Sequence, residues 1–226
     1  ELIARNPKVF CGYSDITVLQ GAFLKKAQLV TYSGPHISTF GMKHGIEYSL
    51  EGFQDAVMRS GPYRLQPSAH WADDSWFLDQ ENRNFIENPG WQVIQPGEAE
   101  GRIVGGNLST FALLRGSPYM PEISGCLLFL EDPRDLATFD RQLQGLLHGP
   151  GGDSIAGLVI GRFPIASGAS PELMEHVVAT KAQLKGKPVI YGVDFGHTTP
   201  HNTFPIGGTA RIRAVHQHPE IEIGEH

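Results

Sequence analysis

The sequence predicts an α/β fold, with a largely parallel sheet, flanking helices and two lobes that meet at a cleft. Apolar runs of strand length alternate along the chain with stretches of helical period, which is typical of parallel sheets covered by helices. The chain also contains 27 glycines and 16 prolines, which indicates many tight turns. A compact chain of 226 residues buries about 70% of its unfolded surface, so a core can form without disulfides or metals.

The predicted strands are apolar runs at 8–12, 29–32, 101–104, 126–130, 155–160, 188–191 and 209–215. The predicted helices follow several of them, at 15–26, 46–59, 108–115, 135–147 and 171–184. Ser170 and Pro171 supply a cap and a first-turn proline for the last of these helices. Residues 61–97 interrupt the alternation and carry all three tryptophans, so we expect a seam between two lobes there.

The charge balance and the apolar pattern argue against several partners. With 18 basic and 24 acidic residues the net charge is −6, which disfavours nucleic acid and anionic membrane surfaces. The sequence has no apolar run long enough to span a membrane and starts without a signal-peptide core, so we expect a soluble, cytoplasmic protein. Cys11 and Cys126 lie in apolar runs without metal-binding spacing, and we expect two reduced, buried thiols.

Ser14 is the first candidate for chemistry, because it lies where the predicted strand in KVFCGYSDITVL gives way to a helix. At such a turn the hydroxyl projects from the sheet, and the first N–H groups of the helix face any oxyanion formed beside it. Ser14 is therefore a candidate nucleophile. A serine before a helix also serves as an N-cap, and GYSDI lacks the second glycine of the usual nucleophile turn. These residues alone leave both interpretations open.

A serine nucleophile needs a base and an acid, and both residue types follow apolar runs later in the chain. Glu131 and Asp132 come directly after CLLFL, where a parallel strand would deliver them to the carboxyl edge of the sheet. Asp194 and His197 follow PVIYGV in the same way. Of the ten histidines only His197 follows a hydrophobic run so closely, and we expect most of the others to face solvent. A solvated turn is the alternative for the acids.

Two other patterns give weaker signals. The C-terminal HQHPEIEIGEH, which includes His216, resembles a metal site only superficially because no third strong ligand accompanies it, so we expect no metal. GRIVGGNLST places Gly106 and Asn107 before a helix, but lacks the spacing of a phosphate loop or a dinucleotide fingerprint. Such a helix start could hold a substrate carboxylate, and a plain turn is an equal alternative.

Several motifs together resemble one known family. GYSDIT around Ser14, YSGPH at 32–36, GGNLST at 105–110, LED at 130–132, and the pair FGHTTP and FPIG at 195–200 and 204–207 are similar to the serine peptidase family of murein LD-carboxypeptidases and microcin C immunity proteins. The matches run in order over nearly the whole chain. The resemblance implies that Ser14 is the nucleophile, His197 the general base and Glu131 the acid that orients the histidine. If Glu131 does not contact His197, Asp132 is the fallback acid.

The resemblance also implies the groups around these three residues. The backbone N–H of Asp15 would be one oxyanion donor, and Gly106 and Asn107 would line the cleft. The chemistry implies no cofactor, since acyl transfer through a serine depends on base catalysis and oxyanion stabilisation. The expected partner is a small-molecule peptide or aminoacyl-nucleotide substrate, and the expected assembly is a homodimer.

Within the family, PSAHWADDSWFLDQENR and HTTP look like the microcin immunity branch, which implies hydrolysis of the amide between a peptidyl or aspartyl group and a modified adenylate. An aromatic residue stacks on the nucleobase in that branch. Trp71 is the first candidate and Trp76 the second, with packing of the seam as the alternative. Arg134 would reach a phosphate or carboxylate, or stay solvated. A murein tetrapeptide LD-carboxypeptidase and a non-catalytic ligand-binding fragment are the alternative functions.

Family members resemble a longer chain, whose first third adds strands and a glycine-rich R-G-G-Y-G turn that completes the oxyanion hole. This sequence does not contain that segment, so we expect an N-terminally truncated chain. On that view residues 1–60 are the C-terminal part of a Rossmann-like lobe that carries Ser14. Residues 61–100 are then the connecting seam, and residues 101–226 form an α/β lobe that carries Glu131 and His197.

Overall fold

A computed structural model describes residues 1–215 and 218–226. Its strands are β1 (Cys11–Gly12), β2 (Thr31–Ser33), β3 (Tyr63–Leu65), β4 (His70–Trp71), β5 (Ile86–Glu87), β6 (Gln92–Gln95), β7 (Gly97–Asn107), β8 (Leu127–Glu131), β9 (Gly157–Gly161), β10 (Val189–Val193), β11 (Phe204–Ile206), β12 (Thr209–Ala214) and β13 (Glu220–Ile223). Its α helices are α1 (Leu2–Arg5), α2 (Thr17–Ala27), α3 (Glu47–Val57), α4 (Leu108–Phe111), α5 (Leu136–Leu147) and α6 (Pro171–Ala179).

Eight strands form the main sheet, in the order β3-β13-β12-β7-β8-β9-β10-β6. Its centre is parallel, because β7, β8, β9 and β10 pair side by side in the same direction. The flanking strands are antiparallel, with β12, β13 and β3 on one side and β6 on the other. The predicted α/β class is confirmed. The parallel centre brings the carboxyl ends of four strands to one edge, which is where open α/β sheets bind ligands.

A second, three-stranded sheet pairs two strands from the first part of the chain with one from the last part. β1 and β2 pair in parallel, and β11 adds antiparallel to β2. β1 ends just before Ser14, whereas β11 begins shortly after the loop that carries His197. This sheet therefore brings together two residues that are 183 positions apart in the sequence.

The hydrophobic core holds the His197 loop from both sides. Phe195 precedes His197, Phe204 opens β11, and Phe129 lies in β8. The ring centroids of Phe195 and Phe204 are 4.9 Å apart, and Phe129 and Phe204 are also 4.9 Å apart. All three rings are buried, and burying one phenylalanine stabilises a fold by about 1.5–3 kcal/mol. The loop between Phe195 and Phe204 is thus anchored in the core at each end.

The helices largely follow the prediction, but two end earlier than expected. The helix α4 stops at Phe111 and gives way to a 3-10 turn at Ala112–Leu114, and α6 is also shorter. The Ser170 side chain accepts a hydrogen bond from the Leu173 N–H with Pro171 in the first turn, so the predicted start of α6 is confirmed. The helix ends at Ala179, and a separate 3-10 turn covers Ala182–Leu184. The reason lies in Lys181, whose backbone is extended and whose buried Nζ donates to the carbonyl of Val177 at 3.2 Å. That bond satisfies a carbonyl of the last turn.

Short extended pieces were expected in residues 61–97, but none was among the strands predicted from apolar runs. β3 and β6 lie at opposite edges of the main sheet, and Trp91 is buried in the core. Both strands are short and only partly buried, so neither produces a recognisable apolar run. Residues 61–97 therefore supply both edge strands of the main sheet as well as connecting the parts of the chain before and after them. The division of the chain into lobes stays a prediction.

Both cysteines are free thiols, with Cys126 buried and Cys11 partly buried. Burial raises the pKa of the Cys11 thiol to about 12 and also raises that of Cys126, so neither is a ready nucleophile near neutral pH. Across the described ranges, the helices include none with the length and apolar character to cross a membrane. His216, from the C-terminal histidine pattern, lies outside the described residues.

Candidate active site

The carboxyl edge of the parallel strands gathers four polar side chains. Asn107 and Glu131 are the last residues of β7 and β8 and are register partners. Arg162 and Asp194 come directly after β9 and β10. All four are buried. A polar group buried at a strand end loses its hydration and needs hydrogen-bond partners to offset that loss. Their partners define the site.

Ser14 lies at the turn between β1 and α2 in a strained backbone conformation. Its φ is 65°, in the left-handed region that residues other than glycine rarely adopt. The 3-10 turn Ser14–Ile16 has Tyr13 at its N-cap and no side-chain cap, so the interpretation of Ser14 as a helix cap is wrong. Its Oγ instead lies 2.9 Å from Nε2 of His197. The strained turn presents the hydroxyl to an imidazole, as nucleophile turns do.

His197 connects Ser14 to a buried acid. Its Nδ1 lies 2.8 Å from Oε2 of Glu131, whose Oε1 accepts a hydrogen bond from Nδ2 of Asn107 at 3.1 Å. Burial lowers the pKa of His197, but the hydrogen bond and charge of Glu131 outweigh it, so the pKa lies above its ordinary value. With the Nδ1 proton directed at Glu131, Nε2 is free to accept the Ser14 hydroxyl proton. The three side chains thus stand in series.

Asp132, the fallback acid, has other partners. Its Oδ2 accepts hydrogen bonds from the backbone N–H of Ser109 at 3.1 Å and from the Ser109 hydroxyl at 2.5 Å. Its Oδ1 accepts from the Arg134 N–H at 3.0 Å. Asp132 therefore ties the loop after β8 to α4, while Glu131 is the acid bonded to His197.

Gly196 makes room for the Glu131 carboxylate. Its φ is 115°, and a Cβ built there would lie 2.9 Å from Oε2 of Glu131. Any larger residue would be strained at that φ and would crowd the carboxylate. The glycine in the FGH motif thus lets the histidine loop pass directly over the acid.

The predicted oxyanion and cleft residues lie on the turn that carries Ser14 and at the end of β7. Asp15 is exposed and follows Ser14 in the first turn, where helical N–H groups lack intrahelical acceptors. Gly106 is packed against Thr17, since a Cβ there would lie 2.6 Å from Thr17 Oγ1. Asn107 is buried, and its side chain both supports Glu131 and caps α4 by accepting from the Thr110 N–H. Its observed contacts are those of a supporting residue, and contact with substrate stays a prediction.

Arg134, the other predicted ligand group, is exposed beside this edge. Its backbone donates to Asp132, and its guanidinium takes part in no ion pair among the residues that the structure describes. The side chain is thus available to an anion, and its role stays a prediction.

The two candidate stacking tryptophans have different surroundings. The guanidinium of Arg162 lies 5.0 Å from the ring centroid of Trp71, which is cation–π distance. Trp71 Nε1 is buried and has no hydrogen-bond partner among the described residues. Trp76 is partly exposed and packs edge-on against Phe77, with 6.0 Å between ring centroids. Trp71 therefore has a packing role already, and Trp76 is the freer ring.

Sequence reasoning missed an aromatic cluster around the histidine. The Tyr13 ring lies 5.3 Å from the His197 ring, 4.6 Å from His201 and 4.9 Å from His36, with which it stacks. Most of the other described histidines are exposed, as expected, but His201 is buried. Burial and then the charges of His197 and His36 lower its pKa to about 3, so His201 stays neutral. The position of Tyr13 directly before Ser14 was the sequence feature that could have indicated its place in the site.

Within residues 1–215 and 218–226, the histidines, cysteines and carboxylates include no group of three arranged to hold a metal ion.

Two profiles of protein families match this chain. The LD-carboxypeptidase C-terminal domain matches residues 100–212, and the LD-carboxypeptidase N-terminal domain matches residues 1–34. These ranges include Glu131 and His197 in the first and Ser14 in the second.

Curated relatives show similarity along most of the chain. The candidate carboxypeptidase YocD of Bacillus subtilis is 48% identical, over 100% of this chain and 70% of its own length. The microcin C7 self-immunity protein MccF of Escherichia coli is 34% identical, over 92% of this chain and 63% of its own length. A probable murein peptide carboxypeptidase of Bacillus subtilis is 31% identical, over 99% and 66%. The chain thus spans between 63% and 70% of the length of these relatives.

Solved structures show the same fold. The MccF-like protein from Bacillus anthracis has a TM-score of 0.97 at 45% identity, covering 100% of this chain and 70% of that chain. MccF in complex with glutamyl sulfamoyl guanosine has a TM-score of 0.85 at 30% identity, covering 99% of this chain and 69% of that chain. MccF is also solved in complex with aspartyl sulfamoyl adenosine.

Proposed function

Since this chain belongs to the LD-carboxypeptidase family of serine peptidases, we propose that Ser14, His197 and Glu131 are its catalytic triad. The observation that carries the proposal is the series of two contacts, 2.9 Å from Ser14 Oγ to His197 Nε2 and 2.8 Å from His197 Nδ1 to Glu131 Oε2. Both lie within the range for a nucleophile, its base and the group that orients the base. The left-handed φ of Ser14 supports the same role.

The reaction follows from this geometry. Oγ of Ser14 attacks the carbonyl carbon of an amide while its proton moves to Nε2 of His197. The carbon–nitrogen bond then breaks, and the imidazolium returns the proton to the departing nitrogen. Water, activated by the same imidazole, hydrolyses the acyl group from Ser14. Glu131 stays ionised and stabilises the imidazolium, and the N–H of Asp15 is one donor to the oxyanion.

The proposed substrate is a peptidyl or aminoacyl adenylate of the microcin C type, with detoxification as its outcome. The support is the similarity to MccF, which binds aspartyl sulfamoyl adenosine, and the WADDSW segment beside the site. A nucleobase needs a flat aromatic surface, and each stacked base contributes about 1–3 kcal/mol. The cytoplasmic location, the homodimer and a reaction without cofactor, all expected from the sequence, stay predictions.

Murein tetrapeptide cleavage is the second candidate. The observation in its favour is the 31% identity to a probable murein peptide carboxypeptidase over 99% of this chain. Such a substrate ends in a free carboxylate, and the exposed Arg134 is the cation near the site that fits it.

Labelling and hydrolysis together test the proposal. Incubation with a fluorophosphonate should add one label to the intact mass, and Ser14→Ala should abolish it. Ser124→Ala is the matched control, because Ser124 is exposed and belongs to a different loop, and it should label like the wild type. Hydrolysis of aspartyl sulfamoyl adenosine and of a murein tetrapeptide then distinguishes the substrates. A chain that binds either compound but neither labels nor hydrolyses would be the non-catalytic binding module.

A further inference from the structure

We propose that Asp194 is a positioning residue for His197, acting through a buried network that connects the histidine loop to residues 68–91. The proposal rests on the role of His197 given above. Asp194 does not touch Ser14 or Glu131 within the described hydrogen bonds, and it lies three positions before His197. Its effect on the reaction is therefore carried by the loop backbone.

The Asp194 carboxylate is almost completely enclosed by donors. It is 1% exposed and forms an ion pair of 3.1 Å with Nη2 of Arg162. The other donors are the Ser68 N–H at 3.1 Å, the Ser68 hydroxyl at 3.0 Å, Nδ2 of Asn88 at 3.1 Å and Nε1 of Trp91 at 2.8 Å. With this many partners the carboxylate has one position.

The backbone next to Asp194 is held as firmly as its side chain. The Arg162 N–H donates to the carbonyls of Val193 at 2.8 Å and Phe195 at 3.2 Å. The Asn202 N–H donates to the carbonyl of Asp194 at 2.6 Å, which closes the loop upon itself. The start and the end of the His197 loop therefore meet at Asp194.

The far side of the loop is anchored by the same segment of chain. Ala72 and Thr199 exchange two backbone hydrogen bonds of 2.8 Å each. Arg83, held by Asp74, donates from Nη2 to the Thr199 hydroxyl at 3.0 Å. His197 thus lies between two attachment points, Asp194 and Thr199, and both attach to residues 68–91.

A purely structural role explains this network poorly. A buried ion pair loses hydration on folding, and well-packed apolar residues of similar volume are often as stable or more stable. What a carboxylate held by several donors adds is one defined geometry, which a base 2.9 Å from its nucleophile requires. On this proposal Trp91 and Ser68, which are not part of the triad, affect the reaction by holding Asp194 in place.

The test uses the full chain with Asp194→Asn, which keeps the shape of the side chain and removes its charge. Asp140→Asn is the matched control, because Asp140 also pairs with a buried cation, Lys181, on another part of the molecule. A displacement of about 1 Å can cost roughly 10²-fold in rate. We expect Asp194→Asn to lower kcat by about that factor with little change in KM, and Asp140→Asn to leave kcat unchanged. Equal kcat losses in the two variants, or none in folded Asp194→Asn, would overturn the proposal.

A spectroscopic measurement separates positioning from stability. The ring N–H of a histidine bonded to a carboxylate gives a far-downfield proton resonance, which here reports on His197 and Glu131. We expect this signal in the wild type and in Asp140→Asn, and its broadening or loss in Asp194→Asn. An unchanged signal in Asp194→Asn would contradict the proposal, whether or not the protein turns over a substrate.

Milder variants cover the case in which Asp194→Asn does not fold. Ser68→Ala and Trp91→Phe each remove one side-chain donor to Asp194. We expect about a tenfold loss of kcat in each, and wild-type rates in both would overturn the proposal. Activity that survives Ser14→Ala would instead reject the proposed function, and the downfield signal would then decide the positioning role alone.

Discussion

Nδ1 of His197 lies 2.8 Å from Oε2 of Glu131, and this contact joins a strand end to a loop 66 residues further along the chain. Three neighbours enforce it. Asn107 holds the second carboxylate oxygen, Gly196 leaves the space for the first, and Phe195 fixes the loop in the core. The acid can therefore accept a hydrogen bond from the histidine without rearrangement, which is the preorganisation that acyl transfer needs.

The first prediction concerns the triad as a unit. Ser14→Ala and His197→Ala should each lower kcat/KM by about 10⁴-fold or more, and the double variant should be little worse than either. The reason is that the hydroxyl is reactive only while the imidazole takes its proton. Initial rates on one substrate for the four proteins give the comparison, and losses that multiply in the double variant would mean separate roles.

The second prediction concerns pH. His197 must be neutral to act as a base, and Glu131 holds the pKa of His197 above its ordinary value against the opposing effect of burial. Activity should therefore fall as the pH drops through that raised pKa. In Glu131→Gln the charge is lost and burial remains, so the acid limb should move to lower pH while the maximal rate falls by about 10²–10⁴-fold.

The pH dependence of kcat/KM for both proteins tests this shift. Glu81→Gln is the control, because Glu81 is exposed and pairs with Lys43, and its profile should match the wild type. An acid limb that does not move in Glu131→Gln would show that another group titrates. His201 is not that group, since its pKa of about 3 keeps it neutral over the range.

The third prediction concerns Gly196. In Gly196→Ala the new Cβ would meet the Glu131 carboxylate at a φ of 115°, so both the backbone and the acid must shift. We expect a loss of about 1–3 kcal/mol in the free energy of unfolding and at least a tenfold loss of kcat/KM. Gly168→Ala is the control, because Gly168 has a φ of 69° and open space around a Cβ. It should lose about 1 kcal/mol in urea denaturation and keep its rate.

The fourth prediction concerns substrate choice. Trp76→Ala should lower hydrolysis of aspartyl sulfamoyl adenosine by at least about tenfold and leave a murein tetrapeptide unaffected, if that ring stacks on the base. Trp71→Ala should reduce both reactions, because Trp71 also packs on Arg162, the partner of Asp194. The hydrolysis rates of the two variants on the two substrates distinguish a stacking role from a packing role. Cleavage of the tetrapeptide alone by the wild type would favour the murein function.

The candidate site shows how far sequence reasoning extends. Strand-end positions predicted Ser14, Glu131 and His197 as polar residues at one edge, and the family resemblance chose Glu131 over its neighbour Asp132. The structure gives the reason for that choice, because Asp132 is bonded to Ser109 while Glu131 is bonded to His197. Asp194 was predicted only as a polar residue at a strand end. Its partners could not be predicted, because Ser68, Asn88 and Trp91 lie in the irregular segment 68–91 and Arg162 follows a different strand.

The sequence by itself determined the α/β class, the central strands, the helices and the residue types at the strand ends, because apolar periodicity and cap residues are local properties of the chain. Tertiary structure alone decided the strain at Ser14, the burial of His201 and the network around Asp194. Each of these depends on contacts between residues far apart in the chain. Such contacts are set by sheet register and core packing, which a local pattern does not encode.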